Sequence, residues 1–252
     1  MGHTVKLLKE SPGWFMLETQ YGYIGWMTKQ SIYRTDYKGI QEWSQANNVT
    51  VKSIFAFVYS EPDRNSLPVS DITMNGLLKL EENQGNWLKV STPDSRIGYI
   101  EKLHFAGLNA QESGCSLRQK IITTAKTMTG IPYLWGGNSS TANDCSGFTQ
   151  TVFRANGIEL PRDARQQGRE GVDVEFDLGY DKILPGDLLF FGNKDDITHV
   201  GISLGGARFI HQAGYVHESS LDPNDKNYSS SSRKSLKKVK RIISGKGELD
   251  SN

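Results

Sequence analysis

Residues 185–214 read PGDLLFFGNKDDITHVGISLGGARFIHQAG, three short β-type runs (DLLFFG, THVGISLG and ARFIHQAG) separated by turn residues. Gly205-Gly206 between the second and third is a hairpin signal, because glycine enters the φ > 0 region of a tight turn without strain. Ahead of this block the apolar period lengthens to that of a helix. Leu117 to Gly130 (LRQKIITTAKTMTG) sets Ile121, Ile122, Ala125 and Met128 on one face, with Gly130 as the stop. Cys145 to Asn156 repeats the pattern with Phe148, Val152 and Phe153. Helices followed by a run of neighbouring strands make an α+β order. After Gly214 the tract LDPNDKNYSSSSRKS reads as an exposed loop, and KVKRIIS as a last short strand before a charged tail.

Working outward from the hairpin, His199 opens its first strand and His211 ends the second, so the turn brings two imidazoles side by side. Upstream, Cys145 stands where the loop Asn143-Asp144 becomes a helix. Free N–H groups and the helix dipole at such a position favour a thiolate and can face a developing oxyanion. A nucleophile beside a base held by a third polar group is the logic of acyl transfer. The plain alternatives are a buried structural cysteine and two satisfied histidines. His3, His104 and His217 have no such context and read as ordinary. No further Cys, His or Glu-x-x-His pattern completes a zinc site around His199 and His211.

The front half is built differently. Sliding the chain by 73 positions lays Trp14 on Trp87, Leu17 on Val90, Thr19 on Thr92, Ile24 on Ile97, Gly25 on Gly98, Trp26 on Tyr99 and Met27 on Ile100. Both copies are alternating runs broken by turns, which predicts small twisted β-meanders with Trp14 and Trp87 as core. The second copy starts near Val51, and its counterpart in the first would fall before Met1, so the first module is expected to lack one or two strands. The expected organisation is 1–48 for a partial module and linker, 49–110 for the second module and 111–252 for the α+β domain.

Composition narrows the class of function. The 252 residues are 37% hydrophobic, enough for one large domain or two to three small ones. Lys+Arg 29 against Asp+Glu 28 leaves a formal charge of +1, so no long-range field recommends nucleic acid or an anionic membrane. The dense basic run from Arg233 to Arg241 reads as a solvated edge. No apolar stretch is long enough for a transmembrane segment, and two cysteines, Cys115 and Cys145, are too few for a disulfide framework. The compartment is not readable from the residues.

Four motifs in order, DCSGF (144–148), LPRDARQQ (160–167), PGDLLFFG (185–192) and HVGISLGGARFIH (199–211), resemble the NlpC-type cell-wall cysteine peptidases, a papain-like superfamily, over about Leu117 to Ser244. The -W-x-x-V-x-T-x-x-x-x-x-G-Y-I- pattern of the second module resembles bacterial SH3-like domains. The implied fold is α+β, a papain-like NlpC-type catalytic domain preceded by two small SH3-like β-barrels, the first N-terminally truncated. The resemblance implies Cys145 as nucleophile, with its own backbone N–H in the oxyanion hole, His199 as general base and acid, and His211 as the orienting residue. No cofactor or metal is implied.

Two SH3-like modules ahead of such a domain resemble a narrower group, the γ-D-glutamyl-L-diamino acid endopeptidases of the dipeptidyl-peptidase VI type. These release L-Ala-γ-D-Glu from cell-wall stem peptides with a free N-terminal L-Ala. That implies Asp163 as the partner of the substrate ammonium, Ser146, Trp135 and Arg162 as further substrate-binding residues, and Tyr23, or else Tyr21, as a phenol from the first module that closes the pocket. Without the resemblance, Asp163 reads as a loop charge or helix cap, Trp135 as core and Tyr23 as a strand-edge aromatic. Ala164 departs from a serine common in the group, and an acidic residue that the group places early in the first module has no counterpart. Peptidoglycan stem peptides are the implied partners, and bacterial periplasm or cell envelope the implied location. The alternatives are a D,L-endopeptidase acting on intact peptidoglycan and a non-catalytic wall-binding protein. The choice between meso-diaminopimelate and Lys is not legible.

Overall fold

A computed structural model of the chain describes residues 1–105, 115–176, 179–194 and 196–243. The chain divides into two compact units, Met1–Asn109 and Ala110–Asn252.

The first unit opens with β1 (Val5–Ser11), β2 (Trp14–Thr19) and β3 (Ile24–Thr28), an antiparallel sheet in that order. Helix α1 (Tyr37–Gln45) follows, capped by the Asp36 carboxylate, which accepts the Gly39 N–H. Then come β4 (Asn48–Thr50), β5 (Phe55–Tyr59), β6 (Pro68–Thr73), β7 (Leu77–Gln84), β8 (Trp87–Ser91) and β9 (Ile97–Glu101), in a second sheet ordered β4-β7-β8-β9-β5-β6.

The repeat is present down to single hydrogen bonds. Thr19 N–H donates to Tyr23 O at 2.9 Å in one hairpin and Thr92 N–H to Arg96 O at 2.9 Å in the other. The threonine hydroxyls accept from Tyr23 and Arg96 N–H, each at 3.1 Å. Gly22 and Ser95 hold the matching positive-φ corner. The copies part company at the glycine after each of these hairpins. A Cβ on Gly98 would lie 2.6 Å from Tyr59 O, because β5 pairs against β9, whereas Gly25 meets nothing nearer than the Tyr23 ring. β3 is accordingly an edge strand, and β9 is not.

The tryptophan expectation needs correcting: Trp14 is 46% exposed and Trp87 half-buried. Strand alternation turns the next residues inward instead, Phe15 and Leu17 in one copy and Leu88 and Val90 in the other. The second module's core gathers Leu88 and Val90 with Val51, Val58, Leu78 and Ile100.

The second unit has α2 (Leu117–Thr127), α3 (Cys145–Ala155), α4 (Ala164–Gln167), β10 (Val172–Asp173), β11 (Leu188–Asn193), β12 (Asp196–Gly205), β13 (Arg208–Ala213), β14 (Tyr215–Ser220), α5 (Ser230–Ser235) and β15 (Leu236–Arg241). This is the expected α+β order. Its strands form one antiparallel sheet, β10-β15-β11-β12-β13-β14, with α3 packed on β12 and β13. The unbroken apolar run Leu188 to Phe191 is fully buried, which marks a strand covered on both faces. The predicted hairpin turns at Gly205 and Gly206, both at positive φ.

Two elements here have no counterpart in the sequence reading. The segment YVHESS, with Val216 its sole aliphatic residue, carries no apolar run to announce it, yet it forms β14 against β13. Ser230–Ser235, read as loop, forms α5. The basic run is likewise no solvated edge. β15 lies between β10 and β11, with Lys240 buried against Asp173 at 3.0 Å and Arg241 paired with the fully buried Asp187 at 2.8 Å. A cation inside a sheet is tolerated when a carboxylate meets it.

Candidate active site

The start of α3 is held by one buried ion pair. Asp144, its N-cap, accepts the Gly147 N–H at 2.7 Å on Oδ1 and the Gly136 N–H at 3.0 Å on Oδ2. Arg162 grips the same carboxylate with both terminal nitrogens, at 3.0 and 2.7 Å, and also donates to Ser146 Oγ at 3.0 Å and Gly137 O at 3.1 Å. The loop before the cysteine, the first turn of the helix and the segment after it thus share one anchor. Gly147 is required in that turn: a Cβ there would lie 2.1 Å from the Gly137 carbonyl oxygen.

Cys145 is the first residue of the helix and is 9% exposed. Backbone N–H groups of Val200, Ser146 and Cys145 itself act on the sulfur, so the nucleophile candidate lies against the histidine strand. Those donors favour a thiolate. Burial first and the Asp144 carboxylate second nevertheless push the thiol above its ordinary value. The position at a helix start predicts an acidified thiol, and the opposite direction follows first from the burial of the sulfur and second from the anionic cap beside it. Tyr133, which sequence reasoning passed over, belongs to the same surroundings. Burial raises its phenol, and negative charge on Cys145 and Asp144 adds to the effect.

The two predicted histidines meet. His199 Nε2 and His211 Nδ1 are 2.8 Å apart, and His211 Nε2 is 3.0 Å from Ser219 Oγ. Register explains the meeting: Gly201 pairs with His211, so His199, two residues before Gly201, projects from the same face. Phe191 and Phe209 pack on the rings, at 5.7 Å from His199 and 4.8 Å from His211. His217, read as ordinary, pairs with His211 across β13 and β14, with ring centroids 4.6 Å apart. Both His217 and Ser219 come from the strand that the sequence concealed.

Burial holds the histidines neutral, lowering His199 to about 4 and His211 to about 3 from an ordinary 6.5, with smaller contributions from neighbouring imidazoles. An unfolded chain therefore binds more protons than the folded one between about pH 4 and 6.5. Stability from these rings is complete above pH 6.5 and falls as pH drops toward 4 for His199 and toward 3 for His211. Urea midpoints at pH 7, 5.5 and 4.5 should fall steadily for the wild type and fall less for a His199→Ala/His211→Ala double variant. Parallel lines would disprove the assignment.

The remaining predicted residues divide. Asp163 is exposed at the N-cap of α4, where its N–H donates to Gln166 Oε1 at 3.3 Å. Trp135 is 87% exposed on the loop leading to Cys145, which excludes the core reading. Arg162 and Ser146 are buried and bonded to Asp144, so both brace the start of the helix that carries Cys145. Ala164 is buried in the first turn of α4. Tyr23 is 39% exposed at the end of the hairpin turn before β3 in the first unit. Among the described residues, no group of three or more His, Cys, Asp or Glu is arranged to hold a metal ion.

Residues 130–237, which contain Cys145 and the whole histidine array, match the NlpC/P60 family. The second unit carries an NlpC/P60 domain. Over 193 residues the chain is 33% identical to the gamma-D-glutamyl-L-lysine dipeptidyl-peptidase of Bacillus subtilis, an alignment that takes in 75% of this chain and 60% of that protein. A protein of the same name from Bacillus cereus is 30% identical over 198 residues, taking in 75% of this chain and 56% of that one. The chain thus spans little more than half the length of these relatives. A solved NlpC/P60 family protein from Bacillus cereus superposes with a TM-score of 0.78 at 24% identity, over 96% of this chain and 80% of that one, and shows the shared fold. Outside the NlpC/P60 domain, the β-rich front is consistent with small SH3-like modules. No helix among the described residues is long and apolar enough to cross a membrane.

Proposed function

We propose that this chain is a cysteine peptidase that hydrolyses the γ-D-glutamyl bond to an L-diamino acid in cell-wall stem peptides with a free N-terminal L-Ala, releasing L-Ala-γ-D-Glu. The observation that carries the reading is the placement of Cys145 at the head of α3, against the strand whose His199 is hydrogen-bonded to His211 at 2.8 Å. The names of the two Bacillus relatives support the bond, and make the L-lysine peptide the first substrate to test, with the diaminopimelate peptide beside it.

In this reading Cys145 Sγ attacks the γ-carbonyl carbon of D-Glu while its proton passes to His199 Nδ1, the ring nitrogen not engaged by His211. Negative charge on the former carbonyl oxygen meets the Cys145 N–H at the helix start, with the Tyr133 phenol as a neighbouring donor. His199 returns the proton to the departing amine of the diamino acid, leaving a thioester. Water, deprotonated by the same imidazole, then attacks the thioester and frees the dipeptide and the thiol. The exposed Asp163 carboxylate pairs with the ammonium of L-Ala, and Trp135 offers an apolar face beside the peptide.

Mass spectrometry of L-Ala-γ-D-Glu-L-Lys and its N-acetyl form tests this directly. Wild type should release the dipeptide from the free amine alone. Asp163→Asn should raise KM by about ten- to a hundredfold, the worth of a charge-assisted contact. Equal cleavage of the acetylated peptide would favour an endopeptidase of intact, sugar-linked peptidoglycan instead, and no cleavage of either would favour a peptide-binding role.

A further inference from the structure

The histidine array does not end at His211. Its Nε2 lies 3.0 Å from the hydroxyl of Ser219, a residue 6% exposed on β14. We propose that Ser219 is a positioning residue for the reaction, the acceptor that closes the proton chain when His199 becomes charged. The proposal rests on the catalytic reading of Cys145 and His199 given above.

A neutral imidazole carries one N–H and a charged one carries two. At rest, the His199 Nε2 to His211 Nδ1 contact can be made with the proton on either ring, and a serine hydroxyl can turn to donate or accept accordingly. Once His199 has taken the thiol proton, that freedom is gone. Both of its nitrogens bear hydrogen, so Nε2–H must donate to His211 Nδ1. His211 then holds its own hydrogen on Nε2, which must donate outward, and Ser219 Oγ is the atom at that position. Without the hydroxyl, the charged state has a buried N–H with no acceptor, whereas the resting state can move the proton to Nδ1 and avoid it. The penalty thus falls on the transition state, not on substrate binding. The His217 ring, tilted 57° to that of His211 with centroids 4.6 Å apart, flanks the same imidazole.

The test compares Ser219→Ala and Ser219→Thr with wild type, in peptide hydrolysis and in alkylation of Cys145 by iodoacetamide at pH 7, where the thiol proton also passes to His199. Ser219→Ala should lower kcat by about ten- to a hundredfold with KM unchanged. It should slow alkylation similarly and leave the urea midpoint within the spread of a surface substitution. Ser219→Thr, which keeps the hydroxyl, should recover most of the rate. Wild-type kcat and alkylation in Ser219→Ala would overturn the proposal, as would a loss in Ser219→Thr as deep as in Ser219→Ala. Failure of the underlying reading has a separate signature: His199→Ala would then alkylate as fast as wild type.

Discussion

Cys145→Ala is expected to lower kcat for dipeptide release by at least about 10³-fold, and His199→Ala by a comparable factor, with the double variant no worse than either. Non-additivity follows from the geometry. The thiol is held protonated by burial and by Asp144, and His199 is neutral, so neither group is active by itself and the proton must move as the sulfur attacks. Removing either partner removes the same step. The resting state has a further signature in alkylation of Cys145, followed by peptide mapping to separate it from Cys115. The rate should be low at neutral pH, where it depends on proton transfer to His199, and climb further only above the ordinary thiol range, where free thiolate accumulates. A preformed thiolate and imidazolium pair would instead give a rate already flat from mildly acidic pH upward. A flat profile in wild type, or hydrolysis that survives Cys145→Ala, would remove the nucleophile from the mechanism.

The parts of this molecule that were legible in the sequence are those where one residue type has one structural use. Gly205-Gly206 could only be a turn, and the spacing of Ile121, Ile122, Ala125 and Met128 only a helix face, and all four side chains are buried. The 73-residue repeat survived because each copy keeps the same Thr hairpin and the same glycine after it. What stayed hidden was polar and buried at once. β14 presents His217 and Ser219 to the face where His211 lies, so its inward residues look like a surface segment to any apolar pattern. Lys240 and Arg241 misled for the mirror-image reason, since a cation reads as solvated until its carboxylate is found, and Asp173 and Asp187 are distant in the chain. Cys145 shows a subtler limit. Its place at a helix N-terminus was readable, but the sign of its shift depends on how deeply the sulfur is buried and, after that, on the Asp144 carboxylate beside it.

Arg162, expected to bind substrate, is buried in an ion pair with Asp144, and its substitution should have the largest effect on stability. Arg162→Met removes a buried cation and leaves the buried Asp144 carboxylate without its counter-charge, a loss of about 3 to 5 kcal/mol. Activity should fall with it even in the folded fraction. The same guanidinium fixes Gly137 O and Ser146 Oγ, and through Asp144 the first turn of α3 that carries Cys145. The control is Asp144→Asn/Arg162→Met. Asn keeps an N-cap oxygen for Gly147 and carries no charge, so the double variant should be more stable than Arg162→Met alone, although one of its residues is further from wild type. Urea unfolding decides between this and direct substrate contact. A supporting residue loses stability and kcat together and is partly rescued by Asp144→Asn, whereas a substrate ligand raises KM, leaves the midpoint in place and gains nothing from the second change.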